Sequence, residues 1–209
     1  MHIILDKYYE QCKYELKERL LTFKQIKHES EEKIFAELCY CLCTPQSKAQ
    51  NCAQAIKSLE ESGTLYSGTW QEIQQKLKGV RFAPTKAKRI VAAREYFTEN
   101  GRLVLKKHLD TCEDMLRGWL VKNVKGLGYK EASHFLRNIG LSETLAILDR
   151  HVLKNLKKFG IIKEIPANLS KKKYFEIEQK MQDFCQQINI SLAKLDLIFW
   201  SMETGKILK

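Results

Sequence analysis

Apolar residues recur along almost the whole chain at the three- and four-residue spacing of amphipathic helices. Examples are Ile34, Leu38 and Leu42, and later Leu192, Leu195 and Phe199. The strict alternation of apolar and polar residues that marks a half-buried strand is missing. The pattern predicts about nine or ten helices, with bounds near residues 3–21, 29–43, 45–61, 70–78, 84–100, 111–121, 129–139, 149–159, 170–188 and 190–204.

Residues that favour helix ends support several of these bounds. Thr44 followed by Pro45 has the composition of an N-cap and a first helical position. Thr69 and Glu72 have the spacing of a capping box. Gly101 follows a helical pattern, where glycine commonly ends a helix. We therefore predict an all-α fold.

The chain carries a large excess of positive charge. Its 209 residues include 36 Lys and Arg against 25 Asp and Glu, which gives a net charge of +11. Such a protein suits a polyanionic partner, because each cation that meets a phosphate releases a condensed counterion. Charge alone is equally compatible with a basic protein that binds no nucleic acid.

The distribution of apolar residues argues against a membrane protein. No apolar run approaches the roughly 20 residues that a membrane span needs. The first residues, Met1 to Asp6, are too few and too soon charged to form a signal peptide. We expect a cytoplasmic protein.

The seven cysteines do not form a recognisable ligand pattern. Cys39, Cys41 and Cys43 lie on a predicted helix, where alternate residues point roughly 200° apart and cannot converge on one ion. Small core residues are their expected role. The C-terminal part contains only Cys185, which excludes a four-cysteine iron–sulfur cluster there. We expect no metal and no other cofactor.

A glycine pair between two predicted helices is the most informative local feature. Gly126 and Gly128 flank one apolar residue, so the chain can turn tightly and its backbone can approach a partner closely. The start of the following helix exposes N–H groups, which bind phosphate well. A plain corner between two helices would use the same residues.

Two chemically active side chains follow the turn. Lys130 lies in the first turn of the next helix, where a cation is unfavourable and its amine is more reactive. The alternative is a surface lysine that contacts phosphate. Asp149 ends an apolar run at the start of a later helix, and beside a lysine it can stabilise positive charge on a sugar ring. It suits an N-cap equally well, and both roles are compatible.

These residues resemble the motif of the helix-hairpin-helix DNA glycosylases. The matching segments are Gly126–Lys130 and Leu148–His151. The resemblance implies that Lys130 is the nucleophile of a bifunctional glycosylase and lyase, and that Asp149 is the required carboxylate. It also implies that Gly126, Gly128 and His151 contact the DNA backbone. Val124-Lys125 departs from the family's Leu-Pro, which removes some rigidity from the turn.

Other segments resemble the compact 8-oxoguanine glycosylases of archaea and some bacteria. The residues that match are those of 42–49, 79–88 and 196–209. The resemblance implies that Gln46 enters the duplex, and that Trp200 and Phe82 hold the two faces of the extruded base. It further implies that the C-terminal carboxylate of Lys209 contacts that base, and that the protein is associated with the nucleoid of a prokaryotic cell. The alternatives are a core Trp200, a Phe82 that covers a helix end, a capping Gln46 and a frayed Lys209.

Together these observations predict two helical subdomains with the active site in the cleft between them. The first, residues 30–137, carries the helix-hairpin-helix motif, and the second combines 1–29 with 138–209. The expected enzyme is a monomer that removes 8-oxoguanine from double-stranded DNA through a lysine Schiff base and cleaves the abasic site by β-elimination. Two alternatives remain open: a glycosylase and lyase for oxidised pyrimidines, and a non-catalytic helix-hairpin-helix DNA-binding protein.

Overall fold

The computed structural model of this chain describes residues 2–205 and 207, without the side chains of residues 2–4 and 6. Within that part of the chain the structure is mostly helical, with two short strands, which confirms the predicted all-α fold. The helices are α1 (His2–Ile26), α2 (Glu31–Cys43), α3 (Ala49–Glu61), α4 (Thr64–Ser67), α5 (Trp70–Lys76), α6 (Ala83–Tyr96), α7 (Glu113–Asn123), α8 (Tyr129–Asn138), α9 (Arg150–Lys158), α10 (Lys171–Ile188) and α11 (Leu192–Thr204). None of the described helices is both long enough and apolar enough to cross a membrane.

The chain divides into two compact units, with one boundary at the end of α1 and the other within α8. One unit consists of Ile26–Phe135 and is built around α2, which contacts both α3 and α6. Every residue of α2 from Ile34 to Cys43 is buried, and all of them except Glu37 are apolar, as is typical of a helix enclosed by its neighbours. Cys39, Cys41 and Cys43 are among them and act as small core residues.

The other unit contains the chain up to Gln25 and from Leu136 onward. In its core a buried ion pair joins α8 to α11, with Arg137 Nη1 2.7 Å from Asp196 Oδ2. The Arg137 guanidinium also lies over the ring of Phe23 in α1, 5.0 Å from the ring centroid. A buried ion pair needs such additional contacts, because both charges have lost their hydration.

The Thr44-Pro45 prediction is wrong, because this dipeptide ends one helix and does not begin the next. Thr44 caps the C-terminus of α2, and its Oγ1 donates to the Cys41 carbonyl at 2.9 Å. Gln46 has a φ of 55°, a left-handed conformation that no right-handed helix accommodates. Helix α3 therefore begins only at Ala49.

The helix predicted at 84–100 ends early and is followed by a small β-hairpin. Helix α6 ends at Tyr96, and strands β1 (Thr98–Glu99) and β2 (Arg102–Leu103) pair antiparallel. Asn100 and Gly101 have φ of 49° and 76°, which suits the Asn-Gly turn that two-residue hairpins favour. Gly101 thus turns a hairpin and does not end a helix. The capping box of Thr69 and Glu72 is confirmed.

Candidate active site

The glycine pair forms a tight turn between α7 and α8. The Leu127 N–H donates to the Val124 carbonyl at 3.1 Å, and both side chains are buried. Gly126 has a φ of 104°, a conformation that L-residues rarely adopt. Gly128 does not have a positive φ, so only the first glycine is required by backbone conformation. The two apolar residues anchor the turn and leave its glycine backbone at the surface of the unit.

Glu131 holds both the turn and the candidate nucleophile, a role that the sequence analysis missed. Its Oε2 accepts the Gly128 N–H at 3.1 Å, and its Oε1 lies 3.1 Å from Lys130 Nζ. The carboxylate offsets the unfavourable position of a cation in the first turn of α8. A Glu three residues after an N-cap is the spacing of a capping box, so Gly128 and Glu131 carried a signal for this contact.

Two further cations lie near Lys130 in the same unit. Burial lowers the pKa of the Lys86 ammonium, and the charges of Arg89 and Lys130 act in the same direction. The Arg89 side chain lies against the hairpin, since a Cβ on Gly126 would be 2.5 Å from Arg89 Cδ. Among the described residues, the buried Nε of Arg89 has no hydrogen-bond partner. This concentration of positive charge suits an anionic ligand.

Lys86 fixes the turn that carries Gln46. Its ammonium is almost fully buried and donates to the carbonyls of Cys43 and Pro45 at 2.6 and 2.7 Å. It also donates to the Ser47 hydroxyl at 2.9 Å. The ammonium therefore binds the residues directly before and after Gln46, whose backbone is strained and whose side chain is exposed. Gln46 does not cap a helix, so its capping alternative is wrong.

The Phe82 turn lies beside the Gln46 turn. The Arg81 N–H donates to Ser47 Oγ at 2.9 Å, which joins the two turns directly. Phe82 is the N-cap of helix α6, and it has a φ of 58° and is 55% exposed. A non-glycine residue in this region costs on the order of 1–3 kcal/mol, and such residues cluster at functional sites. Gln46 and Phe82 thus each combine a strained backbone with an exposed side chain, and the turns that carry them are hydrogen-bonded to each other.

Asp149 is the N-cap of α9, as its alternative role predicted. Its Oδ1 accepts the N–H groups of His151 and Val152, each at 2.8 Å. Within the described part of the chain, Oδ2 has no hydrogen-bond partner, and the residue is half-buried. One oxygen therefore serves the helix and the other is available to a ligand.

Trp200 lies close to the start of α9. Its ring is edge-on to His151, with centroids 6.3 Å apart. Trp200 is half-buried, whereas its neighbour Phe199 is fully buried and stacks on Phe159 in the core. The unit that continues from Leu136 thus brings Asp149, His151 and Trp200 together. Lys209 lies outside the described residues.

The helical fold, the glycine hairpin and the lysine that follows it define the class of helix-hairpin-helix DNA glycosylases. A family model described as 8-oxoguanine DNA glycosylase matches residues 16–190. The chain belongs to the 8-oxoguanine DNA glycosylase family.

Individual relatives agree with this assignment over nearly the whole chain. An 8-oxoguanine DNA glycosylase/AP lyase of Fusobacterium nucleatum is 43% identical over 98% of this chain and 96% of its own length. The crystal structure of the Thermotoga maritima 8-oxoguanine DNA glycosylase matches with a TM-score of 0.88 and 35% identity, over 98% of this chain and 96% of that one. The Methanocaldococcus jannaschii 8-oxoguanine glycosylase/lyase, in complex with a 15mer DNA containing 8-oxoguanine, matches with a TM-score of 0.85 and 37% identity, over 99% and 100%.

Proposed function

We propose that this protein removes 8-oxoguanine from double-stranded DNA and then cleaves the backbone at the abasic site. Its family and the names of its relatives support this function. The observation that carries the proposal is the hairpin, where Lys130 follows a phosphate-suited turn and is held by Glu131. We further propose that it acts as a monomer on the nucleoid in the cytoplasm.

The hairpin binds the DNA backbone in this proposal. The turn at Gly126 allows close approach, and the start of α8 attracts a phosphate. Since Glu131 already occupies the Gly128 N–H, Gly128 contributes through its lack of a side chain and not as a donor. Arg89, whose side chain lies against Gly126, adds positive charge to the same contact. On the other unit, His151 at the start of α9 provides a second backbone contact.

Lys130 and Asp149 carry out the chemistry. The extruded nucleotide leaves the base stack at a cost of a few kcal/mol. The Lys130 amine attacks the sugar carbon that bears the base, and the base departs with the electron pair of that bond. The free Oδ2 of Asp149 stabilises the positive charge that develops on the sugar. The sugar ring then opens: the bond from that carbon to the ring oxygen breaks, the oxygen takes up a proton, and the nitrogen lone pair forms the C=N bond of the Schiff base. The Schiff base loses a proton from the adjacent sugar carbon, and the 3′ phosphate leaves by β-elimination.

The base-recognition residues complete the proposal. Gln46 occupies the gap that the extruded base leaves, while Phe82 and Trp200 hold the base on its two faces. The C-terminal carboxylate of Lys209 accepts a hydrogen bond from the base. A C-terminal extension should therefore impair excision of 8-oxoguanine but spare cleavage at a pre-formed abasic site. Equal excision by the extended and unextended proteins would remove Lys209 from the site.

Borohydride trapping on defined duplexes tests the function. Duplexes containing 8-oxoguanine, thymine glycol or no lesion are incubated with the protein and reduced, and the covalent adducts are resolved on a denaturing gel. An adduct formed preferentially with 8-oxoguanine is the expected result. A preference for thymine glycol would instead identify a glycosylase for oxidised pyrimidines. Binding without any adduct would identify a non-catalytic DNA-binding protein.

A further inference from the structure

The segment that leads into Asp149 is buried but belongs to no helix or strand. Leu145, Ala146, Ile147 and Leu148 are each at most 5% exposed. Buried backbone N–H and C=O groups must be paired, and no strand of the described residues lies beside this segment to pair them. Side chains therefore supply several of its partners, including both partners of Ala146.

Helix α10 supplies these partners from one of its faces. Tyr174, Glu178 and Gln182 follow one another at four-residue spacing, so they lie on the same side of the helix. The Tyr174 hydroxyl donates to the Ala146 carbonyl at 2.6 Å, and Glu178 Oε1 accepts the Ala146 N–H at 2.7 Å. Gln182 Nε2 donates to the Thr144 carbonyl at 3.3 Å. Both backbone groups of Ala146 are thus held, as they would be by an adjacent strand.

Little freedom remains between Ala146 and the carboxylate of Asp149. The two intervening side chains are buried, and the Asp149 N–H closes a tight turn on the Ile147 carbonyl at 2.8 Å. On its other side, Asp149 is bound through Oδ1 to the first N–H groups of α9. The free oxygen, Oδ2, is therefore aimed by two attachments, one at α9 and one at α10.

We propose that Tyr174 and Glu178 are positioning residues for the Asp149 carboxylate. The inference rests on the proposed function, in which Asp149 stabilises the charge on the sugar. A carboxylate that acts this way must be held in place, because a displacement of about 1 Å can cost on the order of a hundredfold in rate. Tyr174 and Glu178 are 3% and 4% exposed. They influence the reaction through the backbone of Ala146 and not through contact with DNA.

Single substitutions on α10 test the proposal. Tyr174→Phe removes only the hydroxyl, and we expect the single-turnover rate of 8-oxoguanine release to fall about tenfold while affinity for lesion DNA stays within about twofold. Glu178→Gln keeps an acceptor oxygen, so its rate should stay near that of the wild type. Glu178→Leu removes the acceptor, so its rate should fall further than that of Tyr174→Phe. Tyr66→Phe is the matched control, since that hydroxyl also donates to a backbone carbonyl, that of Glu32 at 3.4 Å.

Combination with Asp149→Asn separates positioning from general stability. If Tyr174 acts through Asp149, Tyr174→Phe should cost no further rate in the Asp149→Asn background, because coupled residues are not additive. An equal loss in both backgrounds, or a lower melting temperature with a wild-type rate, would overturn the proposal. If Glu178→Leu fails to fold, Tyr174→Phe still tests the proposal, because it removes only a hydroxyl. A wild-type rate in Asp149→Asn itself would instead refute the proposed function.

Discussion

Two regions of the molecule each bring to the start of a helix one side chain to which we assign the chemistry, and they do so by different means. The hairpin holds Lys130 through local contacts: a glycine turn, two buried apolar residues and the capping carboxylate of Glu131. The segment before α9 holds Asp149 through distant contacts, because its backbone is bound by the side chains of α10. The groups that hold Lys130 all lie within a few residues of the turn.

The difference predicts how the two regions respond to substitution. A local motif depends on backbone conformation at one or two positions, so a single added Cβ can disrupt it. A segment held by remote side chains depends in addition on residues far along the chain. Substitution of Lys130 or Asp149, to which the proposed function assigns the chemistry, should have the largest effects.

Lys130→Gln should abolish both base release and the covalent borohydride adduct. The substitution removes the only amine that the proposal uses, and it leaves the hairpin to which the proposal assigns DNA binding. Affinity for duplex DNA, measured by fluorescence anisotropy, should therefore stay within about threefold of wild type. Lys125→Gln is the control, because this lysine is an exposed residue of the same turn. An adduct formed by Lys130→Gln would mean that the nucleophile lies elsewhere.

Asp149→Asn should reduce the single-turnover rate roughly a thousandfold, because a neutral amide cannot stabilise positive charge on the sugar. Asn caps a helix about as well as Asp, so the melting temperature should change little. Ser30→Ala provides the opposite case: it removes the cap of α2, which accepts from the Lys33 N–H, and should cost about 1 kcal/mol of stability without slowing turnover. Near-wild-type turnover in Asp149→Asn would reduce this residue to a helix cap.

The two regions also differ in what the sequence could predict. Lys130 and the glycine turn were predictable, because spacing within a few residues determines their geometry. Asp149 was identified as both a cap and a reactive group, yet its fixation by Tyr174 and Glu178 was not. These residues lie on a helix whose pattern indicates only an amphipathic face, and no local rule states which backbone a buried Glu will bind. Contacts across many residues arise only from tertiary packing.

The same limit explains the errors at the helix ends. Thr44-Pro45 has the composition of a helix start, but the contacts of Lys86 with Cys43, Pro45 and Ser47 favour a strained turn there. Tertiary contacts override a local preference of this size, because a cap contributes only about 1 kcal/mol. The error at residues 100 and 101 has a different cause. Asn-Gly is a strong local signal for a two-residue hairpin turn, so this turn could have been predicted from the sequence.

The two glycines of the hairpin should respond differently, which sharpens the local side of the comparison. Gly126→Ala forces a left-handed conformation on an L-residue and displaces Arg89, so binding to damaged and undamaged DNA should weaken alike, by about tenfold. In Gly128→Ala the new Cβ would lie 2.9 Å from Glu131 Oε2 and shift that carboxylate. In this variant the single-turnover rate should fall more than the affinity for DNA. Anisotropy and single-turnover assays distinguish the two, and identical behaviour would contradict the division of roles.

The smallest expected effect concerns Arg89, which connects α6 to the hairpin. If its guanidinium meets a phosphate, Arg89→Ala should lower the slope of log affinity against log salt by about 0.9 for every duplex, because one fewer counterion is released. The loss of affinity should be several-fold near physiological salt and equal for lesion and undamaged DNA. Lys88→Ala on the same helix is the control, since that ammonium lies 4.6 Å from the centroid of the Trp70 ring.

Packing alone predicts a different result for Arg89. The stem of a long side chain can support a neighbouring turn without any ionic contact, and its removal would then weaken binding with an unchanged salt slope. Arg89→Met, which retains much of the stem but not the charge, separates the two explanations. It should reproduce the reduced slope if the guanidinium binds phosphate. Wild-type affinity and slope in Arg89→Met would show that the hairpin needs only the apolar stem of the Arg89 side chain for its shape. The hairpin would then contact the DNA backbone without this charge.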